Sequence, residues 1–458
     1  MLSFLANSIR LVSLPIVAAM LALMAASLLA ISASEQASAK AQAQEAARLA
    51  AKYPDQPAPV AKPLTYGYTG KQALFCAVAI VGFILAAAIP YPRLGRTAYL
   101  WFGLTLALLV LVLLLPANRF VHRWINLRFS GGPSESSILQ FQPSELAKIA
   151  YVMALAWYLR YRDNYRRLLG LIPPFVLTMA PVALILLEPD LGTSLLLPPT
   201  LFFMLFMAGA KLRHLLTIVA VAALLVLVPI PQQTAGMKPE LAKDRQALAY
   251  WQGSVGSQQY VLSPGAAAFI REHHQLVRII GWLHQGDSAV SQDISFQLDQ
   301  SVLALGAGGL SGRGDEDAGD FVLYVLPEDH TDFIYAVIGS KWGFVGCMAV
   351  MLIYLVIFVC GAEIAGTTDD PFGRLLVVGV LALLFTQIFI NAGMTMGLMP
   401  ITGMTLPLIS YGGSSMLING IALGLLANVA RRRSMVLAPK PFEFGHRKKE
   451  PALPVPEK

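Results

Sequence analysis

The sequence predicts an all-α integral membrane protein of ten transmembrane helices, with a large extracytoplasmic loop between the seventh and the eighth. Three observations carry that prediction. The 458 residues are 56% hydrophobic and only 13% charged, with mean hydropathy +0.61. A single water-soluble core does not need that balance, whereas a polytopic bundle does. Ten apolar runs recur, each near the roughly 17–25 residues that cross a bilayer. The chain carries a net charge of +7, and most of its short basic clusters sit at the ends of those runs, as the positive-inside rule expects. That placement argues against a nucleic-acid partner.

The first run, residues 11–31, ends near small residues around Ala33 as a signal peptide would, but it is long for such a segment and is read as helix one. The Ala-, Gln-, Lys- and Pro-rich stretch Ser32–Pro63 is too polar to span and too Pro-rich at its end to be one helix. With its flank to residue 71 it is read as an extracytoplasmic linker, helical near Glu35–Leu49. Further spans are expected at 72–90, 97–116, 144–160, 170–187, 193–209 and 213–231, then at 333–360, 373–396 and 408–430. With a cytoplasmic amino terminus, the inside loops carry Arg93 and Arg96, then Arg160, Arg162, Arg166 and Arg167, then Lys211 and Arg213, then Arg374. A basic tail, 431–458, follows the last span. Both termini are thus expected on the cytoplasmic side of the plasma (inner) membrane. The loop 232–332 then lies outside; it shows no regular strand pattern, and a loop of that size in a compact protein is usually functional. Cys76, Cys347 and Cys360 fall within apolar segments and offer no spaced pair for zinc or a disulfide.

Chemistry-bearing residues gather on the expected outer face. Glu328, Asp329, His330 and Asp332 stand directly before the apolar run that begins at Phe333. Glu328 and Asp329 read as solvated loop-end charges. Asp332, flush against Phe333, Ile334 and Tyr335, is placed as a general base would be. Between spans three and four come Arg123, Trp124, Asn126 and Arg128, then Gln142, Pro143, Ser144, Glu145 and Lys148. Pro143 and Glu145 mark a helix start. Lys148, at i+3 from Glu145, makes either an intrahelical ion pair or a cation turned to a wet cavity. Bases facing outward run against the charge asymmetry of the other loops, and a phosphate-bearing ligand would explain them. The turn Glu188–Thr193 reads as structural, with Asp190 an Asx-type acceptor and Thr193 a cap. Ser410, Tyr411, Gly412, Gly413, Ser414 and Ser415 open the tenth span with small polar residues. Gln387 and Asn391, i and i+4, suit interhelical hydrogen bonds. The glycines of Ala304–Gly314 permit either close backbone approach or a flexible loop.

These residues carry a resemblance. Arg123–Trp124–Ile125, Phe141–Lys148 (FQPSELAK), Pro189–Ser194 (PDLGTS), Ala208–Leu212, Gln297–Gly314, Leu326–Val337 (LPEDHTDFIYAV) and Asn391–Ser415 appear in the order of the SEDS family, the RodA/FtsW/SpoVE-type peptidoglycan glycosyltransferases. The resemblance implies a polymerase of lipid II at the outer leaflet, embedded in membrane lipids and partnered by a class B penicillin-binding transpeptidase. It places the family's essential aspartate on Asp332 and its basic positions on Arg123 and Lys148. Trp124, Glu145, Gln297, Ser410 and Ser414 complete the expected substrate-binding set. Displacing undecaprenyl pyrophosphate with inversion needs one base for the acceptor hydroxyl and cations for the leaving group. A divalent cation, magnesium or manganese, stays open. One departure stands out: after Ile338 the family usually continues Gly-Glu-Glu-Leu-Gly, whereas this chain has Gly339, Ser340, Lys341, Trp342 and Gly343. Two other readings remain at this point, a flippase of lipid-linked sugars and a non-catalytic scaffold for the transpeptidase.

Overall fold

A computed structural model describes residues 13–52, 67–114, 125–127, 139–162, 164–188, 190–227, 252–255, 258–261, 282, 296–314 and 330–432. The described residues fold into a helical bundle. In chain order its helices are α1 (Ser13–Lys52), α2 (Tyr68–Ala88), the short α3 (Tyr91–Arg96), α4 (Ala98–Leu114), α5 (Pro143–Leu159), α6 (Ile172–Leu187) and α7 (Leu191–Met207). Then follow α8 (Leu212–Leu227), α9 (Phe296–Gly308), α10 (Ile334–Thr367), α11 (Pro371–Thr395) and α12 (Gly413–Arg432). Among the described residues six stretches are long and apolar enough to cross a membrane: Leu14–Lys40, Tyr68–Ala88, Leu168–Leu187, Ile334–Thr367, Pro371–Thr395 and Gly413–Arg432. Ala98–Leu114, Leu191–Met207 and Leu212–Val221 are shorter apolar helices. The protein is a multi-pass membrane protein.

α11 and α12 form the centre. In each, 78% of the most apolar window is buried, against 28% in α10, whose outer face is left to lipid. α12 lies along α2 because Gly420 and Gly424 bring the backbones together: a Cβ there would stand 2.4 Å from the Ala79 carbonyl and 2.5 Å from that of Phe83. At the far end of this pair, Asn428 and Arg432 donate to the carbonyls of residues 86–89, satisfying the last turn of α2.

Three features go beyond the expectations. The helix expected near Glu35–Leu49 is present, but as the continuation of α1, which runs unbroken from Ser13 to Lys52, so no linker begins at Ser32. Its second half is rich in Ala, Gln, Lys and Glu, all strong helix formers, and the first proline after that stretch is Pro54. Glu35 on this extension reaches the start of α2, where its Oε2 accepts from Thr69 Oγ1 at 2.7 Å and Thr69 N at 3.3 Å. Secondly, the chain is not purely helical. β1 (Ile125–Leu127) pairs antiparallel with β2 (Leu139–Phe141), and β3 (Gln252–Val255) with β4 (Gln258–Val261), so the long loop does contain strands. Thirdly, α10 is broken at Gly343, with φ 64° and ψ −161°.

The break explains the glycine-rich stretch. Residues 309–314, following α9, dock on it backbone to backbone. Arg313 N donates to Ser340 O at 3.1 Å, Gly314 N to Lys341 O at 3.3 Å, Phe344 N to Gly309 O at 2.9 Å and Val345 N to Leu310 O at 3.1 Å. Non-helical backbone inside a bundle is tolerated where protein satisfies it. A Cβ on Gly308 would lie 1.8 Å from Gly339 O, and Gly312, at φ 83°, has room for none. Lys341, the departure from the family pattern, donates from Nζ to Gly314 O at 2.9 Å and fastens the turn.

Candidate functional site

At one end of the bundle a cavity of about 380 Å³ opens between the starts of α5, α7, α10 and α12. Gln142, Glu145 and Lys148 line it from α5, Asp190 and Thr193 from α7, Thr331 and Asp332 from the turn before α10, and Ser414 and Ser415 from α12. Four helix amino termini therefore converge on one space. Their aligned peptide dipoles bring partial positive charge to a space whose ionisable lining is one cation, Lys148, and three carboxylates, Glu145, Asp190 and Asp332.

Pro143 fixes the first turn of α5 and puts Glu145 and Lys148 on its inner face. Lys148 Nζ donates to Glu145 Oε1 at 2.8 Å and stands 2.8 Å from Oε2, with side-chain exposures of 3% and 8%. The pair is thus the i, i+3 contact that spacing allows, and it is also buried on the cavity wall. An ammonium has three donors, so the pair leaves Lys148 with capacity for a ligand oxygen.

Asp190 caps α7. Its Oδ1 accepts from Thr193 N at 3.1 Å, and its Oδ2 from Thr193 Oγ1 at 2.9 Å, Gln142 Nε2 at 2.8 Å and Ser144 Oγ at 3.2 Å. The structural reading of Asp190 is therefore realised, and extended: it ties the start of α7 to the start of α5. Ser414 Oγ accepts from Gln142 N at 3.2 Å and joins α12 to the same corner.

The fourth wall is the segment 396–412 between α11 and α12, which contributes Gly403, Met404, Thr405, Tyr411 and Gly412. It is held from all sides. Gln387 Nε2 donates to Thr405 O at 2.8 Å, and Asn391 Nδ2 to Met404 O at 2.6 Å. Ser27 Oγ donates to Ile409 O at 2.6 Å and Gln72 Nε2 to Ser410 O at 3.2 Å, so α1 and α2 brace it. Leu408, buried at φ 62°, adopts a left-handed conformation that few side chains accept. Tyr411 N donates to His330 O at 2.9 Å, and the rings of Tyr68, His330, Phe75 and Tyr411 cluster beside the cavity. Burial, then the neighbouring Tyr68 hydroxyl, pushes the Tyr411 phenol up, so it stays a neutral donor.

Asp332 is half-buried in the turn ahead of α10, and Phe333 behind it is fully buried. Of the residues expected to act together, the structure gathers Asp332, Glu145, Lys148 and Ser414 in one cavity. It does not bring in Ser410, whose Oγ accepts from Leu406 N at 2.7 Å behind the wall, or Gln297, which lies on the first turn of α9. Arg123, Trp124, Glu328 and Asp329 lie outside the described residues. Gln142, Thr193, Thr331, Thr405 and Ser415 also line the site without having been selected for it. Small polar residues at helix starts are common as caps, and nothing in their spacing sets these apart.

The profile of the FtsW/RodA/SpoVE family, described as cell cycle protein, matches residues 62–435. Among curated relatives, the peptidoglycan glycosyltransferase RodA of Treponema pallidum is 31% identical over 400 residues, covering 79% of this chain and 89% of that one. Stage V sporulation protein E of Bacillus subtilis is 28% identical over 375 residues, covering 80% and 88%. Among solved structures, a chain from a peptidoglycan synthase complex that coordinates polymerization and crosslinking aligns with TM-score 0.59 at 28% identity, over 87% of this chain and 96% of that one. The rod shape determining protein RodA of Thermus thermophilus aligns with TM-score 0.55 at 25% identity, over 91% and 96%. By the span of the family match and the relatives it brings, this chain belongs to the FtsW/RodA/SpoVE family.

Proposed function

We propose that the protein polymerises lipid II into glycan strands at the outer leaflet of the plasma membrane. The reaction is an inverting glycosyl transfer with undecaprenyl pyrophosphate as leaving group. The observation that carries this reading is the shared cavity: one wall presents Asp332, the other Lys148, and four helix amino termini point between them. Asp332 accepts the proton of the attacking sugar hydroxyl. Lys148 holds the pyrophosphate as its negative charge develops, and Arg123, outside the described residues, is a second cation for it in this reading. Glu145 holds the Lys148 side chain in place. The ionisable lining residues Glu145, Lys148, Asp190 and Asp332 all sit at one end of the bundle, which favours chemistry at one membrane face over carriage across it.

In this reading ten crossings, α1, α2, α4–α8 and α10–α12, leave both termini in the cytoplasm, and the long segment 232–332 lies outside. A class B penicillin-binding transpeptidase is the partner. Among the described residues no three His, Cys, Asp or Glu side chains gather into a metal cage. A divalent cation would need oxygens from the substrate phosphates as well, as Mg²⁺ sites commonly do, and no step is routed through it.

The test is polymerisation of labelled lipid II, followed by gel, with purified wild type and Asp332→Asn, each with the transpeptidase. Glycan strands from wild type alone, with both proteins folded and partner-bound, support the assignment. Strands from both remove Asp332 as base; strands from neither return the scaffold reading.

A further inference from the structure

Asn391 lies on α11, one helix behind the cavity, and does not line it. It is fully buried. Its Nδ2 donates twice: to the backbone carbonyl of Asp332 at 2.9 Å and to that of Met404 at 2.6 Å. Those carbonyls belong to two different walls of the cavity, the turn before α10 and the segment between α11 and α12. Two acceptors on the same side fix the amide orientation, since the flipped form would set its oxygen against two carbonyl oxygens. Among the described residues Oδ1 has no hydrogen-bond partner, so the side chain is held wholly through its donors. Buried acceptors are rarely left so, and the arrangement calls for a reason.

We infer that Asn391 is a positioning residue for the transfer reaction: a clamp that sets Asp332 relative to the segment between α11 and α12 by holding both backbones at a fixed separation. This rests on the reading of Asp332 as base. Gln387, one turn away, donates twice to Thr405 alone, through its carbonyl at 2.8 Å and its Oγ1 at 3.1 Å. Asp332 precedes its helix and is half-buried, and the same turn is joined to the segment between α11 and α12 two residues earlier, where Tyr411 N donates to His330 O at 2.9 Å, so the Asn391 bonds act at the aspartate itself. A base displaced by about 1 Å loses about 100-fold in rate, because the geometry of attack is lost while the substrate still binds.

The test uses full-length protein with its transpeptidase. Asn391→Leu keeps the volume and removes both donors together with the orphan oxygen; Asn391→Ser keeps one donor. Wild type, these two variants and Asp332→Asn are compared for melting temperature, partner retention, and kcat and KM on labelled lipid II. The inference expects Asn391→Leu to lower kcat about 10- to 100-fold with KM within about threefold, and Asn391→Ser to fall between it and wild type. A merely structural residue would lower the melting temperature without separating kcat from KM. Wild-type kcat in folded Asn391→Leu overturns the inference; if that variant does not fold, wild-type kcat in Asn391→Ser overturns it. Should Asp332→Asn polymerise normally, the base assignment fails first and this clamp with it, whereas an inactive Asp332→Asn beside a fully active Asn391→Leu sinks the clamp alone.

Discussion

Lys148→Met is the perturbation whose outcome separates a structural ion pair from one built into the chemistry. It removes a cation that is 3% exposed and leaves the Glu145 side chain, itself 8% exposed, without its counter-ion. Breaking a buried pair from one side costs about 3–5 kcal/mol, because the remaining charge stays desolvated. An exposed helical pair at the same spacing would cost only about 0.2–0.5 kcal/mol. The tenfold gap makes the measurement decisive. Denaturant unfolding in detergent is expected to place Lys148→Met about 3–5 kcal/mol below wild type. The double variant Glu145→Gln/Lys148→Met removes both charges at nearly constant volume and is expected within about 1 kcal/mol of wild type. Polymerisation is expected to fail in both, since neither holds a cation opposite Asp332. A loss below about 1 kcal/mol in the single variant would refute the buried-pair argument. A double variant that makes glycan strands at the wild-type rate would show that the pair only supports the fold.

Other expectations follow from single contacts. Gly308→Ala drives a Cβ to 1.8 Å from Gly339 O and is expected to undock the turn from the α10 break, read as new protease sensitivity. Gly309→Ala, in open space at φ 55°, is expected to cost only about 1–2 kcal/mol in unfolding measurements. Lys341→Glu sets a carboxylate against the Gly314 carbonyl; a lower melting temperature than that of Lys341→Met is expected. Asp190→Asn keeps a capping oxygen for α7, whereas Asp190→Ala loses the cap, about 1 kcal/mol, and the ties to Gln142 and Ser144 as well. Melting curves should rank wild type, Asn, then Ala.

The apolar runs were legible because lipid imposes a length and a composition that few soluble segments share. The site was legible where one residue type does one job: a lysine turned inward at Lys148, a capping aspartate at Asp190, amides at Gln387 and Asn391 that bond between segments. Less legible was everything decided by backbone meeting backbone. The break at Gly343 and the docked turn before it depend on carbonyls that have no letter in the sequence, so the glycines there fitted a flexible loop equally well. Ser410 misled for the same reason: a hydroxyl in a polar motif faces either the cavity or its own main chain, and Leu406 N takes it. The helix near Glu35–Leu49 was legible, but its unbroken continuity with helix one was not, because polarity was weighed above propensity. Polarity excludes a span and not a helix.

The central claim is that Asp332 does chemistry and does not merely hold substrate. The direct measurement is the single-turnover polymerisation rate of Asp332→Asn beside its affinity for labelled lipid II, both with the transpeptidase bound. A general base contributes about 10²- to 10⁴-fold, so the account predicts a rate lower by that factor with lipid II affinity within about threefold of wild type. A rate near wild type, or a loss explained entirely by weaker lipid II binding, would contradict it.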